Sequence, residues 1–145
     1  MNIGVDTDIR EKESGPIVIS FENFIMEDGS PIYLQILRYI KREVIAGTVN
    51  DGDELPSRRV LSALLGVNPN TVQKAYRILE EENFIISHSG AKSYMQLDSD
   101  KIRTIRSEML ENDTINVIRM LRQMGVGKAE AISLIEEYWD RSDES

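Results

Sequence analysis

Apolar residues recur at helical spacing in three places before position 80. From Pro31 to Gly47, Tyr33, Ile36, Leu37, Ile40 and Val44 repeat at three- and four-residue intervals and so share one stripe of a helix. Ser30 and Pro31 are expected to cap that helix, and Gly47 to end it. A shorter stripe follows, made of Val60, Leu61, Leu64 and Leu65; Ser57 after Pro56 is its expected cap, and Gly66 closes it in the left-handed conformation that glycine tolerates. The linker Gly66, Val67, Asn68 is a turn of the helix-turn-helix kind. Beyond it, Val72, Ala75, Tyr76 and Leu79 form the buried stripe of another helix, whose start is sharp. Asn68 supplies a side-chain acceptor to an orphan amide, and Pro69 presets the first helical angle.

The pattern then changes period. Phe84, Ile85 and Ile86 form a short apolar run, and after the turn residues Ser89 and Gly90 a second strand candidate runs from Ser93 to Leu97. Tyr94 and Gln96 face away from Met95 and Leu97, so one side of this hairpin can lie on the helices. Its loop is a wing, with His88, Ser89, Gly90 and Lys92 at the tip. Ahead of the first helix, Ile17, Ile19 and Phe21 alternate with Val18, Ser20 and Glu22 as an extended segment, while residues 1–15 are polar, acidic, without periodicity and expected to be a flexible end. After Leu97 a long helix is predicted from about Asp100 to Met124, interrupted by Asn112, Asp113 and Thr114, then a shorter one from Lys128 to Asp140. Val117, Met120, Leu121 and Met124 continue the stripe of the first; Ile132, Ile135 and Trp139, with Tyr138 at the edge, line the second. The expected fold is mainly α with a small β-hairpin. It comprises a flexible segment (1–15), a winged helix-turn-helix domain (16–97) and a two-helix appendage (98–145).

The face opposite Val72, Ala75, Tyr76 and Leu79 carries Asn70, Gln73, Lys74 and Arg77. In so acidic a chain an ordinary surface helix would carry carboxylates there; this one has only amides and cations. Amides pair in bidentate fashion with adenine, and Lys or Arg takes guanine or phosphate oxygens. A solvated face that merely lacks acids is the other reading of those four residues alone.

Three segments carry a family resemblance: PIYLQI at Pro31 to Ile36, LPSRRVLSALLGVNPNTVQKAY at Leu55 to Tyr76, and LE at Leu79 and Glu80. Together they resemble the DNA-binding domain of GntR-type bacterial transcription regulators, and VNPNTV with AY and the short tail resembles the YtrA-like branch. The resemblance implies a DNA-binding role for Arg59, for Asn68, Asn70, Thr71 and Gln73 at the front of the recognition helix, and for Ser89 and Gly90 at the wing tip. Other branches place arginines at the positions of Pro69 and Gln73, so their operators cannot be borrowed. The wing departs as well: Gly90, Ala91, Lys92 replaces a glycine pair, with Lys92 offering charge for lost backbone contact. Asn83 stands where a glycine usually follows the helix, and asparagine tolerates that conformation. The resemblance also implies a homodimer.

Composition narrows the partners. The chain has 145 residues, no cysteine, a single histidine and a net charge of −8. No disulfide or thiolate metal site can form, and no metal or cofactor is expected. No apolar run approaches the roughly 20 residues of a membrane span, and no cleavable signal opens the chain, so cytoplasm is the expected place. The acid lies in the flanks: residues 31–97 hold eight Lys and Arg against seven Asp and Glu. So modest an excess predicts weak non-specific affinity and reliance on base contacts, hence a shallow salt dependence. An enzyme would need a cluster of acid, base or nucleophile, which the sequence does not offer. A winged helix serving protein–protein interaction without DNA is the competing reading; the acid-free face at Asn70, Gln73, Lys74 and Arg77 speaks against it.

Two amphipathic tail helices cannot bury both their apolar faces alone. Val117, Met120, Leu121, Met124, Ile132, Ile135, Tyr138 and Trp139 are therefore expected to pair with a second copy. A methionine and aromatic stripe is ordinarily interface core, so no small-molecule effector is assigned to it. A two-fold dimer presents recognition helices to half-sites roughly 34 to 36 Å apart, which predicts an inverted-repeat operator in double-stranded DNA. The expected function is a transcription regulator, a repressor that occludes a promoter.

Overall fold

The computed structural model describes residues 17–88 and 92–141. The expected flexible end, 1–15, lies outside the described residues, as do Ser89 and Gly90 of the wing tip. The elements run α1 (Ile32–Ala46), β1 (Glu54–Leu55), α2 (Arg58–Leu65), α3 (Pro69–Glu81), β2 (Ile85–Ser87), β3 (Ser93–Met95), α4 (Ser99–Gln123) and α5 (Lys128–Trp139). The strands form one antiparallel sheet in the order β1-β3-β2. The chain divides into two compact units, one ending at Ile105 and one beginning at Arg106, with the division inside α4.

In the first unit the core lies where α1 and α2 pack on α3. Ile36, Leu37, Ile40 and Val44 of α1 are buried against Val72, Ala75, Tyr76 and Leu79 of α3, joined by Leu61, Leu55, Ile85, Met95, Leu97 and Ile105. Tyr33, expected on the buried stripe of α1, is only partly covered, because it lies in the first turn, at the end of the helix. The cap of α1 is Pro31 alone, without a side-chain bond, since proline has no acceptor to offer. Ser30 contributes only its carbonyl, which accepts from Gln35 Nε2 at 2.9 Å.

The short second stripe is out of phase with its prediction. Leu61 and Ser62 are buried, Leu65 is half-buried, and Val60 and Leu64 are exposed. Only eight residues long, α2 can face α3 with a narrow arc, and the arc that packs is centred one step beyond Val60 and Leu64. Ser62 can enter it because its hydroxyl donates to the Arg59 carbonyl at 3.0 Å, so burial leaves no unmet polar group.

Two strand features were not foreseen. β1 pairs Glu54 with Tyr94 and Leu55 with Ser93, and Val18 bridges in parallel to Glu54. The leading segment therefore joins the sheet edge, with Ile19 N donating to Glu54 O at 2.8 Å. Ile19 and Phe21 are buried while Ile17 stays exposed. Phe21 and Phe24 pack on Tyr39 of α1, whose hydroxyl donates to the Ser20 carbonyl.

α4 is continuous through Asn112, Asp113 and Thr114, so these residues do not divide it. Asp98 caps it, its Oδ1 accepting from Lys101 N at 2.8 Å. In the second unit Gly125, at φ 79°, turns the chain between α4 and α5.

Candidate nucleic-acid interface

The site is built from the start of α3 outward. Asn68 has extended backbone angles and its Oδ1 accepts from Asn70 N at 2.8 Å, which fixes the first turn of the recognition helix. That oxygen is committed to the cap, and Asn68 itself is exposed. Gly66, at φ 68°, turns the chain between α2 and α3. The buried stripe of α3 is the set the spacing predicts, so the opposite face is turned outward: Asn70, Gln73, Lys74 and Arg77 are all exposed, and Thr71 is half-exposed beside them.

At the start of α2, Ser57 Oγ accepts from Val60 N at 3.1 Å and so sets the first turn, on which Arg59 is exposed. Across the hairpin, Ile85 pairs with Met95 and Ser87 with Ser93. His88 N donates to the Lys92 carbonyl at 3.0 Å, closing the base of the wing, and Lys92 is exposed there. Ser89 and Gly90 lie outside the described residues. Asn83 has φ 65°, the left-handed turn that a glycine would otherwise make.

Two aromatic supports escaped the sequence reading. Lys74 Nζ stands 4.0 Å from the centre of the Tyr33 ring, and the Arg58 guanidinium lies 5.2 Å from that of Tyr76. Arg58 Nε is buried and has no hydrogen-bond partner among the described residues. No spacing along the chain signals either pair, because each joins residues brought together only by packing. The Tyr76 hydroxyl donates to the Pro56 carbonyl at 2.7 Å, and burial raises its pKa against the opposing pull of Arg58.

The expected pairing residues all lie in the second unit. Val117, Met120, Met124, Ile132, Ile135, Tyr138 and Trp139 are exposed, Trp139 at 71%, and Leu121 is half-buried. α5 contributes no buried residue. Between α4 and α5 lies an open apolar groove of about 930 Å³ whose lining includes Val117, Leu121, Ile132, Ile135, Tyr138 and Trp139.

Helix, tight turn, recognition helix and a paired hairpin together define a winged helix-turn-helix, the DNA-binding architecture of transcription regulators. Residues 32–94 match the family of bacterial regulatory proteins named for gntR. A GntR family transcriptional regulator from Listeria monocytogenes is 35% identical, with a TM-score of 0.67 over 77% of this chain and 98% of its own. The chain belongs to the GntR family. It is 42% identical over 66 residues to the HTH-type transcriptional repressor YtrA of Bacillus subtilis, a match covering 46% of this chain and 51% of that protein. The uncharacterized HTH-type transcriptional regulator YhcF of the same organism is 23% identical over 112 residues, 77% of this chain and 93% of its own. The chain thus spans about half of YtrA and nearly all of YhcF. Among the described residues no helix is long and apolar enough to cross a membrane.

Proposed function

We propose that this chain is a cytoplasmic transcriptional repressor that binds an inverted-repeat operator in double-stranded DNA as a homodimer. One observation carries the reading: the exposed face of α3 holds Asn70, Gln73, Lys74 and Arg77 over its first three turns and meets carboxylates only at Glu80 and Glu81, at the far end of the helix, while the other face is fully engaged in the core. That face enters the major groove, with amides and cations at base edges or phosphates. Asn68 and Thr71 border it at the helix start. Arg59 reaches the backbone from α2, and the wing, with Ser89, Gly90 and Lys92, reaches the adjoining groove.

The homodimer rests on the second unit. A helix without a buried residue, beside a groove lined by Ile132, Ile135, Tyr138 and Trp139, leaves more apolar surface open than a lone chain ordinarily shows. A second copy related by a two-fold axis covers both faces at once. Repression is the activity in the name of the YtrA relative, and occupation of a promoter by such a dimer is the simplest means to it.

The test is a gel shift on the chain's own promoter. A discrete retarded band is expected, abolished by Arg59→Ala and Asn70→Ala together. Binding untouched by that double change removes both residues from the interface.

A further inference from the structure

Tyr33 lies in the first turn of α1, and its ring meets Lys74 of α3, the helix against which α1 packs. Tyr33 is only half-buried, and the Lys74 ammonium stands over its ring, 4.0 Å from the centre. The negative face of a phenol attracts a cation. An unsupported lysine samples many rotamers and loses that freedom when it binds; one already seated on a rigid ring loses less. The economy matters in this domain, because residues 31–97 hold only eight Lys and Arg against seven Asp and Glu. With so slight an excess of positive charge, affinity depends on where each cation is held.

We infer that Tyr33 is a positioning residue for DNA recognition. Its ring holds the Lys74 ammonium on the face of α3 that also carries Asn70, Gln73 and Arg77, aimed at an acceptor oxygen of the operator. The inference rests on the DNA-binding reading above and assigns Tyr33 a part played through Lys74, without contact of its own to the duplex.

The experiment uses the full chain and a duplex selected by the wild-type protein from random DNA, with affinity read by fluorescence anisotropy. Tyr33→Leu removes the π face and is expected to weaken binding by about fivefold. Tyr33→Phe keeps the ring and is expected to bind within about twofold of wild type, since the cation needs the face and not the hydroxyl. On a Lys74→Ala background, Tyr33→Leu is expected to add no further loss. In the free protein the Lys74 ε-methylene signal should be shifted upfield by the ring in wild type and Tyr33→Phe, and not in Tyr33→Leu. If leucine unsettles α1, Tyr33→Met fills a similar volume without a π face and serves in its place.

Three results overturn the inference: Tyr33→Leu binding as well as wild type, losses that simply add in the double variant, or Tyr33→Phe as weak as Tyr33→Leu, which would assign the effect to the hydroxyl. Failure of the wild-type chain to select any duplex overturns the DNA-binding reading and this inference together. Wild-type binding with an unaffected Tyr33→Leu overturns this inference alone.

Discussion

Tyr76 shows how much a single side chain settles. Its ring fills the centre of the first unit, its hydroxyl holds the Pro56 carbonyl at the entry to α2, and the Arg58 guanidinium lies over its face. Burial raises the phenol pKa above its ordinary value, with Arg58 opposing. Because the folded state resists ionisation, the unfolded chain releases the proton first as pH rises. The stability carried by the neutral phenol is therefore complete below the unfolded value of about 10 and is lost as pH climbs beyond it. Urea midpoints are expected to fall above about pH 10, and Tyr76→Phe is expected to flatten that fall while lowering stability at neutral pH by about 1 kcal/mol through the lost hydrogen bond. An equal alkaline fall in the Phe variant would move the effect elsewhere. Tyr39 would come first, since its pKa is also raised, by burial and then by Glu43 and Glu22.

Among the elements, α3 was legible because a thirteen-residue helix repeats its apolar positions often enough to fix its phase, and because Asn68 and Pro69 mark its start. α2 was legible in its limits and half legible in its face: Leu61 is buried and Leu65 half-buried as expected, whereas Val60 and Leu64 are exposed. In eight residues the positions Val60, Leu61, Leu64 and Leu65 fit more than one arc, and packing against α3 chose the one centred beyond Val60 and Leu64. β1 has two residues and no periodicity, so nothing local announces it; its pairing with β3 joins positions about forty apart in the chain. The turn between α2 and α3 was readable from Gly66, Val67 and Asn68. At φ 68°, and with no atom within 4 Å of an added Cβ, Gly66→Ala is strained only in its backbone. The expected cost is about 1 kcal/mol in urea denaturation, with Gly66→Asn costing less because asparagine visits this region more readily. Equal stability of the Ala variant would mean that the turn relaxes out of the left-handed conformation.

At the scale of the whole molecule, charge and apolar surface are sorted along the chain. The net charge of −8 leaves residues 31–97 nearly balanced, so the recognition face lies in the least acidic part. The second unit carries the open apolar stripe. Placing a carboxylate in its groove with Ile135→Asp is expected to shift the protein from dimer to monomer in light scattering and to weaken operator binding with it, because one recognition helix then meets one half-site. A persisting dimer would exclude this groove as the interface. What the amino-acid order determined by itself was local: helix limits set by Ser57, Gly66, Asn68 and Pro69, the face of α3 that carries Asn70, Gln73, Lys74 and Arg77, and the apolar stripes of the tail. These follow from backbone preferences and side-chain period, which act within a few residues. Only tertiary packing decided which side of α2 turns inward, that Glu54 and Leu55 become a strand, and that Lys74 rests on Tyr33. Each depends on a partner distant in sequence, and no pattern within one segment can name its neighbour.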